Sequence, residues 1–386
     1  MINQNVGTPR FYINIIEWMA SLGLVQSSGG FPIERYFTTN ASIPTFFMPG
    51  DGDGLHDSVF MPNFGTYDGN NGITYNSIIP DNKGFFAILG HLFKTNDCEF
   101  IIQEGNPDYS GINDVGKEVN YGSAGTHIRP DLDGFTLSTC GFNDFNQISG
   151  TPYYVYEDDE EGGGDGVIDG YANQGQIRFE SGTWDYADAN PYWGYGGIVF
   201  GSIVIGSYYD MPHGPEMSLT MTREMDGVKR IRTKGGSDLV DYRYTKSPPW
   251  GELAAWELHD SIGGITDRRL SRSGRRVWDL SFNYLQDSDV FPDVSSLTNY
   301  ETISPDGVVW DDAMNATDNT LLDEETFFSQ VIHKTNGGQL PFIFQPDNSN
   351  FNPDQFAIAK LDMKSFKFDQ VANGVYNMKL KIREVW

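Results

Sequence analysis

The sequence has few cysteines and no long hydrophobic run. Its two cysteines, Cys98 and Cys140, fall in a chain of 386 residues, whereas secreted disulfide scaffolds are rich in cysteine. We expect two buried free thiols, which pack as small apolar side chains, with a disulfide between them as the alternative. No stretch of about 18 apolar residues occurs, so neither a transmembrane helix nor a membrane partner is predicted.

Basic residues are also scarce. Lysine and arginine number 26 against 53 aspartates and glutamates, which gives a formal net charge of −27. A charge of this sign repels phosphates, so no specific nucleic-acid partner is predicted, and it favours solubility and basic neighbours. Residues 1–4 lack the basic and apolar regions of a secretory signal, so we expect a chain that is made in a cytoplasm and either stays soluble or is built into a particle there.

Motifs for catalysis are missing as well. The histidines are scattered along the chain: His56, His91, His127, His213, His259 and His333. None of them has the spacing of a zinc site or of a His-Glu-x-x-His helix, and there is no Gly-x-Ser-x-Gly elbow. Carboxylate pairs abound among 53 acidic residues, so they cannot identify a glycosidase pair. The sequence predicts a protein that is not an enzyme and that takes no cofactor.

What the chain does have is many turn formers. It contains 44 glycines and 19 prolines, and 39% of its residues are hydrophobic. This mixture favours many short strands joined by irregular loops around a sizeable core, so the predicted fold is mainly β. Residues 10–15 alternate as a strand, and from Ile15 the apolar spacing becomes helical until Gly23, a natural stop.

Two strands and a helix are predicted in the last third. One strand carries its apolar face on Trp278, Leu280, Phe282 and Tyr284, and the other on Tyr376, Met378, Leu380 and Ile382. Alternation with period two is typical of a half-buried strand. Residues 323–333 predict a helix, with Asp323 as its N-terminal cap and residues 336–338 at its end.

The sequence of residues 24–210 predicts a separate, loop-rich β region. Residues 198–205 predict a buried strand, and the acidic, glycine-rich residues 157–165 predict a surface loop. Proline and glycine cluster at 211–215, which indicates a boundary. The predicted segments are a strand–helix at 1–23, a β domain at 24–210 and a β domain at 211–386. Packing of the first segment on the third would make the middle one an insertion.

Four motifs in the last third follow one another in a recognisable order. They are Gly-Arg-Arg-Val-Trp-Asp-Leu-Ser-Phe at 274–282, a Phe-Phe helix at 327–328, Gly-Gly-Gln-Leu-Pro-Phe-Ile-Phe-Gln-Pro-Asp at 337–347, and Leu-Lys-Ile-Arg-Glu-Val-Trp at 380–386. This order resembles the ring-forming domain of tail-tip proteins of tailed bacteriophages, the distal tail or tail-tube-like family. The resemblance covers residues 270–386.

The resemblance implies a structural protein of the virion. It implies a β-sandwich or split-barrel domain with a short helix, which oligomerises into a ring around the tail channel and contacts other phage structural proteins at a tail tip or baseplate. Members of the family often carry an outward insertion, and residues 24–210 would be that part. The implied location is the virion tail, assembled in the host cytoplasm. A capsid or decoration protein is the alternative.

A basic run precedes the first of these motifs. Residues 223–276 hold 12 of the 26 basic residues. The run ends in five arginines: Arg268, Arg269, Arg272, Arg275 and Arg276. Arginine pairs well with phosphate, but in a chain of this charge we predict that the run faces acidic surfaces of a neighbouring copy in a homo-oligomer. Trp278 and Trp386 complete the predicted subunit interface.

Two further sets of residues suggest ligands. Asp51, Asp53 and Asp57 have the spacing of some calcium loops, in which carboxylates alternate around a glycine turn, and an ordinary acidic turn is the alternative. Trp184, Tyr186 and Trp193 cluster among carboxylates and amides. Such mixtures hold sugars and also occur at protein interfaces. They motivate the alternative function of a carbohydrate-binding or carbohydrate-degrading receptor-recognition protein.

Overall fold

The structure is a computed structural model of the chain. It describes residues 5–26, 36–40, 45–47, 56–60, 63–64, 78–80, 83–91, 93, 98–103, 126–128, 133–140, 155–158, 165–168, 176–181, 198–225, 228–241, 256, 274–292 and 320–386. For several strands before residue 200 only the backbone is described. The side chains of Cys98 and Cys140 are among those outside the description, so the state of the two thiols stays a prediction.

The described residues form a mainly β fold, as predicted. The strands are β1 Arg10–Asn14, β2 Val25–Gln26, β3 Thr45–Phe47, β4 His56–Phe60, β5 Asn63–Phe64, β6 Gly84–Leu89, β7 Cys98–Gln103, β8 Thr126–Ile128, β9 Phe135–Cys140, β10 Val155–Asp158, β11 Asp165–Ile168, β12 Gln176–Ser181, β13 Ile198–Phe200, β14 Ser202–Asp210, β15 Thr220–Glu224, β16 Lys229–Arg232, β17 Asp238–Asp241, β18 Arg275–Gln286, β19 Phe342–Gln345, β20 Ala357–Leu361, β21 Phe368–Ala372 and β22 Val375–Glu384. The helical elements are α1 Ile15–Ser21, α2 Asp287–Val290, α3 Thr320–Asp323, a π-helix at Phe328–His333 and a 3₁₀ turn at Pro353–Gln355. The sandwich or split-barrel arrangement stays a prediction.

The largest sheet joins strands from the whole length of the chain. It has ten strands in the order β15-β18-β22-β20-β19-β1-β14-β6-β9, with β21 beside β22, and every pairing is antiparallel. Strand β1 lies between β14 and β19. The N-terminal strand therefore pairs with both the region before residue 210 and the region after 211, while the division into three domains stays a prediction.

The smaller sheets come largely from the front of the chain. They are a four-stranded sheet in the order β4-β12-β7-β8 and the pairs β2–β5, β3–β13, β10–β11 and β16–β17. The backbone of the predicted acidic loop is partly strand, because Asp158 in β10 pairs with Asp165 in β11. Residues 159–164, the centre of that predicted loop, lie outside the described residues.

The core lies on both faces of the large sheet. Phe11 and Ile13 of β1 pack in one cluster with Trp278 and Phe344, while Tyr12 packs in a second cluster with Trp256 and other aromatic side chains. The side chains of Phe11, Tyr12 and Ile13 are each at most 1% exposed. Burial of each such side chain contributes about 1.5–3 kcal/mol, so the central strand is held from both sides.

Three sequence predictions agree with the observed elements. Met378, Leu380 and Ile382 of β22 are buried in the core, as their alternation predicted. Helix α1 begins at Ile15 and its C-terminus is closed by Gly23, which has φ +72°. The backbone N–H of Leu24 donates to the carbonyl of Met19 over 3.0 Å, which is the pairing that a glycine in the left-handed region permits at a helix end.

The predicted helix at 323–333 is wrong in its start and its type. The backbone of Asp323 ends α3, and in the next helical segment the Oγ1 of Thr326 accepts the N–H of Ser329 over 3.2 Å. The turn that follows is a π-helix. Gln330 is fully buried there, and its side-chain amide donates to the carbonyl of Glu324 over 2.8 Å. This side chain bridges the break between the two helical segments.

The predicted strand at 198–205 is two strands. It breaks at Gly201, whose N–H donates to the carbonyl of Leu89 over 2.6 Å. Strand β13 before the break pairs with β3, whereas β14 after it pairs with β1 and β6. One apolar run thus contributes strands to two sheets. The sequence of the run has no periodicity, so it did not indicate the break between them.

Replacing His91 with glutamine should flatten the acid sensitivity of the fold. His91 is fully buried, its Nδ1 accepts the N–H of Phe93 and its Nε2 lies 2.9 Å from Thr136 Oγ1. Burial lowers the pKa of His91 from 6.5 to about 3. The neutral ring's contribution to stability is therefore complete above pH 6.5 and is lost progressively as the pH falls toward 3.

Urea unfolding at pH 7 and at pH 4.5 checks this expectation. The native chain should lose up to about 1.4 kcal/mol per pH unit more than the His91→Gln variant, whose side chain still donates to Thr136 but cannot titrate. Equal losses in the two proteins would show that His91 is not the group responsible.

Candidate subunit interface

Arg276, one of the predicted interface arginines, is engaged within its own chain. The register of β18 on β22 places it opposite Glu384. Its Nη2 donates to Glu384 Oε1 over 2.9 Å, and the two side chains are only 11% and 4% exposed. The same guanidinium donates to the carbonyl oxygens of Asp354 (2.8 Å) and Phe356 (2.7 Å). Arg276 therefore ties three segments of the sheet together.

Arg275 and Trp386 form a second contact beside that ion pair. The guanidinium carbon of Arg275 lies 4.8 Å from the centroid of the Trp386 ring, within the range of a cation–π interaction. Arg275 Nη2 also donates to the carbonyl of Trp386 over 3.2 Å. Trp386 is half-buried and packs against the core cluster that contains Tyr12.

Trp278 lies inside the core rather than at the surface. It is 1% exposed and its ring meets Phe344 edge-on, with 5.1 Å between the centroids. It offers no surface to a partner in the folded chain. Arg268, Arg269 and Arg272, the other predicted interface residues, lie outside the described residues, and their role in a subunit contact stays a prediction.

The exposed apolar surface lies next to this region, at the β15 side of the large sheet. Ten large hydrophobic residues of the described part of the chain are exposed, and five of them fall within 217–240. These five are Met217, Met225, Ile231, Leu239 and Val240. We call residues 217–225 and 228–241 the edge segment. Among the described strands β15 pairs only with β18, so its outer edge has no neighbouring strand in the part of the chain that the structure describes.

The second half of the edge segment is a β-hairpin that stands in solvent. Strands β16 and β17 pair antiparallel, and Thr233 and Ser237 close the turn. Gly236 has φ +86°, which suits the left-handed position of a short hairpin loop. Every side chain from Lys229 to Arg232 is exposed. A two-stranded hairpin with no buried face is at best marginally stable in water, so burial against another surface would stabilise this one.

A bulge in β18 exposes Tyr284, which was predicted to face the core. The register on β22 shifts between Phe282 and Leu285, so Leu285 takes the inward place and is 1% exposed. Tyr284 has φ +64° and is 71% exposed. A bulge redirects a side chain in this way, and the left-handed backbone costs about 1–3 kcal/mol for a residue other than glycine. The backbone N–H of Tyr284 donates a hydrogen bond to Asn377 Oδ1 over 3.0 Å.

The hairpin was missed at the sequence level although a signal for it exists. Residues 229–241 place Lys-Arg-Ile-Arg and Asp-Leu-Val-Asp on either side of a Gly-Gly pair. Two short runs separated by a few residues that contain glycine are typical of a hairpin. The high charge of both runs concealed it, because Lys-Arg-Ile-Arg has one apolar residue and Asp-Leu-Val-Asp has two, too few to show an alternating pattern.

The predicted ligand sites lie outside the described side chains. Asp51 and Asp53 are not described, and of Asp57 only the backbone of β4 is. Trp184, Tyr186 and Trp193, the predicted sugar-binding residues, are not described either. Within the described ranges no three His, Cys, Asp or Glu side chains come together in a group able to hold a metal ion.

Comparisons with known proteins add no family. A scan against protein-family models and searches of curated proteins and of solved structures found no match for this chain. Of the helices that the structure describes, none has the length and apolar character needed to cross a membrane.

Removing one partner of the buried ion pair should destabilise the fold strongly. Glu384→Ala leaves the Arg276 guanidinium buried without its carboxylate, and such changes cost roughly 3–5 kcal/mol. Glu224→Ala is the matched control, because Glu224 pairs with Arg383 in the same sheet but the two side chains are 32% and 35% exposed. An exposed pair is worth at most about 1 kcal/mol.

Urea unfolding of Glu384→Ala and Glu224→Ala measures the difference, and the single variants Arg276→Met and Glu384→Leu are measured beside the double variant that combines them. The double variant should be less destabilised than the sum of its single changes, because neither charge is then left alone. A loss from Glu384→Ala as small as that from Glu224→Ala would contradict a structural role for the pair.

Proposed function

We propose that the chain is a structural subunit of a multi-copy assembly, specifically a tail protein of a phage virion that forms a ring as a tail-tip or baseplate adaptor. One observation carries the proposal: the edge segment combines an open strand edge, an unsupported hairpin and half of the exposed large hydrophobic residues described. The order of motifs over residues 270–386 supports the phage-tail part of it.

The physical reason is that an open edge is costly in a protein that stays alone. Unpaired N–H and C=O groups on an edge strand invite pairing with another chain, and natural monomers blunt such edges. Here the edge strand β15 is followed in the sequence by the exposed residue Met225 and then by the hairpin. Pairing with a second copy would satisfy the edge and bury these side chains.

Rotational symmetry then makes one such contact sufficient for a ring. When the edge segment of each copy binds a different surface of the next copy, the interface is heterologous. Such an interface gives a closed ring if the rotation between neighbouring copies adds up to a full turn. The buried Arg276–Glu384 pair and the β18–β22 ladder make the sheet behind the edge a firm support. The assembly takes place in the host cytoplasm and the product is part of the virion tail.

The purified chain should form a particle of defined stoichiometry. Light scattering after gel filtration and electron images should give one oligomeric mass and a ring outline. Ile231→Asp and Leu239→Asp together should shift the chain toward monomer, since both side chains are more than half exposed in the hairpin. Val371→Asp, at a residue 49% exposed on β21, is the control and should leave assembly unchanged.

A chain that stays monomeric up to high concentration and in the presence of other tail proteins would overturn the proposal. Binding of glycans by such a monomer would favour the carbohydrate-recognition function instead.

A further inference from the structure

The hairpin at 228–241 has a charge opposite to that of the chain. It contains four basic residues, Lys229, Arg230, Arg232 and Lys234, and two acidic ones, Asp238 and Asp241. The remainder of the chain carries 22 basic and 51 acidic side chains. The exposed hairpin is therefore a local positive element on a strongly negative protein.

The basic side chains of the hairpin have little ionic contact with the residues that the structure describes. An ion pair within the hairpin joins Arg232 and Asp238 at 4.0 Å, with side chains 80% and 67% exposed, and such a pair contributes little. Lys229, Arg230 and Lys234 have no carboxylate within ion-pair distance among the residues that the structure describes. Their charges are available to an external partner.

Each face of the hairpin combines apolar and basic side chains. Alternation along the strands puts Ile231 and its cross-strand neighbour Leu239 on one face, where they are 51% and 59% exposed. Lys229 lies on that same face, and Arg230 and Arg232 project from the other face beside Val240, which is 48% exposed. Apolar side chains next to cations match a protein surface that has both apolar and acidic side chains, whereas a phosphate backbone would leave the apolar side chains in water.

We propose that both faces of this hairpin dock against acidic surfaces of a second copy of the chain. Ile231 and Leu239 form the apolar centre of one face, with Lys229 beside them, and Val240 forms that of the other face, with Arg230 and Arg232 beside it. This inference rests on the proposed function and names the contact chemistry within it. Two copies of charge −27 repel each other, and the repulsion is screened only beyond about 8 Å at physiological salt. Close contact therefore needs a local positive element, and the hairpin supplies one.

Charge reversal with a matched control tests the proposal. Arg230→Glu with Arg232→Glu should weaken association of the copies by about tenfold or more, the effect of some 1.4 kcal/mol. Lys364→Glu with Lys379→Glu changes the net charge by the same amount at two exposed lysines elsewhere. The control variant should associate nearly as the native chain does, so the general repulsion is equal and the difference reports the hairpin. Both are measured by sedimentation velocity over a concentration series, with circular dichroism to confirm folding.

Cross-linking of the unaltered chain gives a second, independent readout. A carbodiimide joins lysine amines to carboxylates in direct contact, and a mixture of ¹⁴N and ¹⁵N chains distinguishes links between copies from links within one. Mass spectrometry should find Lys229 or Lys234 joined to an aspartate or glutamate of the other isotope.

The outcomes separate this inference from the proposed function. A monomeric native chain overturns both. An assembly that forms equally well with the hairpin charges reversed, and that yields no hairpin link between copies, overturns the inference alone. Binding of duplex DNA that is lost in the Arg230→Glu, Arg232→Glu variant would assign the hairpin to nucleic acid and also overturn it.

Discussion

The pairing of β1 with β14 on one side and β19 on the other is the interaction on which the rest of the structure depends. It joins residues near 10, 210 and 345 in one ladder. Gly206 shows how close the approach is, because a Cβ at that position would lie 1.9 Å from the carbonyl oxygen of Ile13. Only glycine allows the chain to turn from β1 into α1 against β14.

We call the pairing of β1 with β14 and β19 the junction. Polar contacts fix its register. Arg10 holds Asp210 through two hydrogen bonds of 2.7 and 2.9 Å, and Lys83 bridges Asp210 to Glu325. The hydroxyl of Tyr12 donates to Gln345 over 2.8 Å, and burial raises the pKa of Tyr12 to about 12. A slip by one residue would turn every core side chain of β1 to the other face and leave these partners unmatched.

The sequence was informative where local periodicity decides the structure and uninformative where distant segments do. The alternation in β22 and the glycine that ends α1 were both readable, because each depends on a few neighbouring residues. The bulge at Tyr284 was not, because it arises when residues 283 and 284 of β18 together face Asn377 alone in β22. The alternation of β18 continues through this point without a break, so nothing local marks the extra residue.

The π-helix has the same kind of cause. Within it Gln330 contacts Ser207 of β14, whose hydroxyl donates to Gln330 Oε1 over 2.9 Å, and Lys334 donates to the same oxygen over 2.6 Å. Ser207, Gln330 and Lys334 are all fully buried. Burying a polar group costs free energy unless the group is hydrogen-bonded. The conformation of this helical turn is therefore coupled to a strand more than a hundred residues away in the sequence.

The contrast between the junction and the edge segment is the strongest physical reason to expect a partner. At the junction each buried polar group of β1 has its hydrogen bond and both faces are covered. Five strands away from β1 in the same sheet, β15 has no neighbour on its outer side among the described strands, and the hairpin after it exposes Ile231 and Leu239. Selection for a stable monomer would remove exposed apolar pairs on an edge, since they promote aggregation. Their placement among basic side chains, on a chain that is otherwise negative, is what a contact between like-charged copies requires: apolar area to be buried and a local charge of the opposite sign to bring the surfaces together.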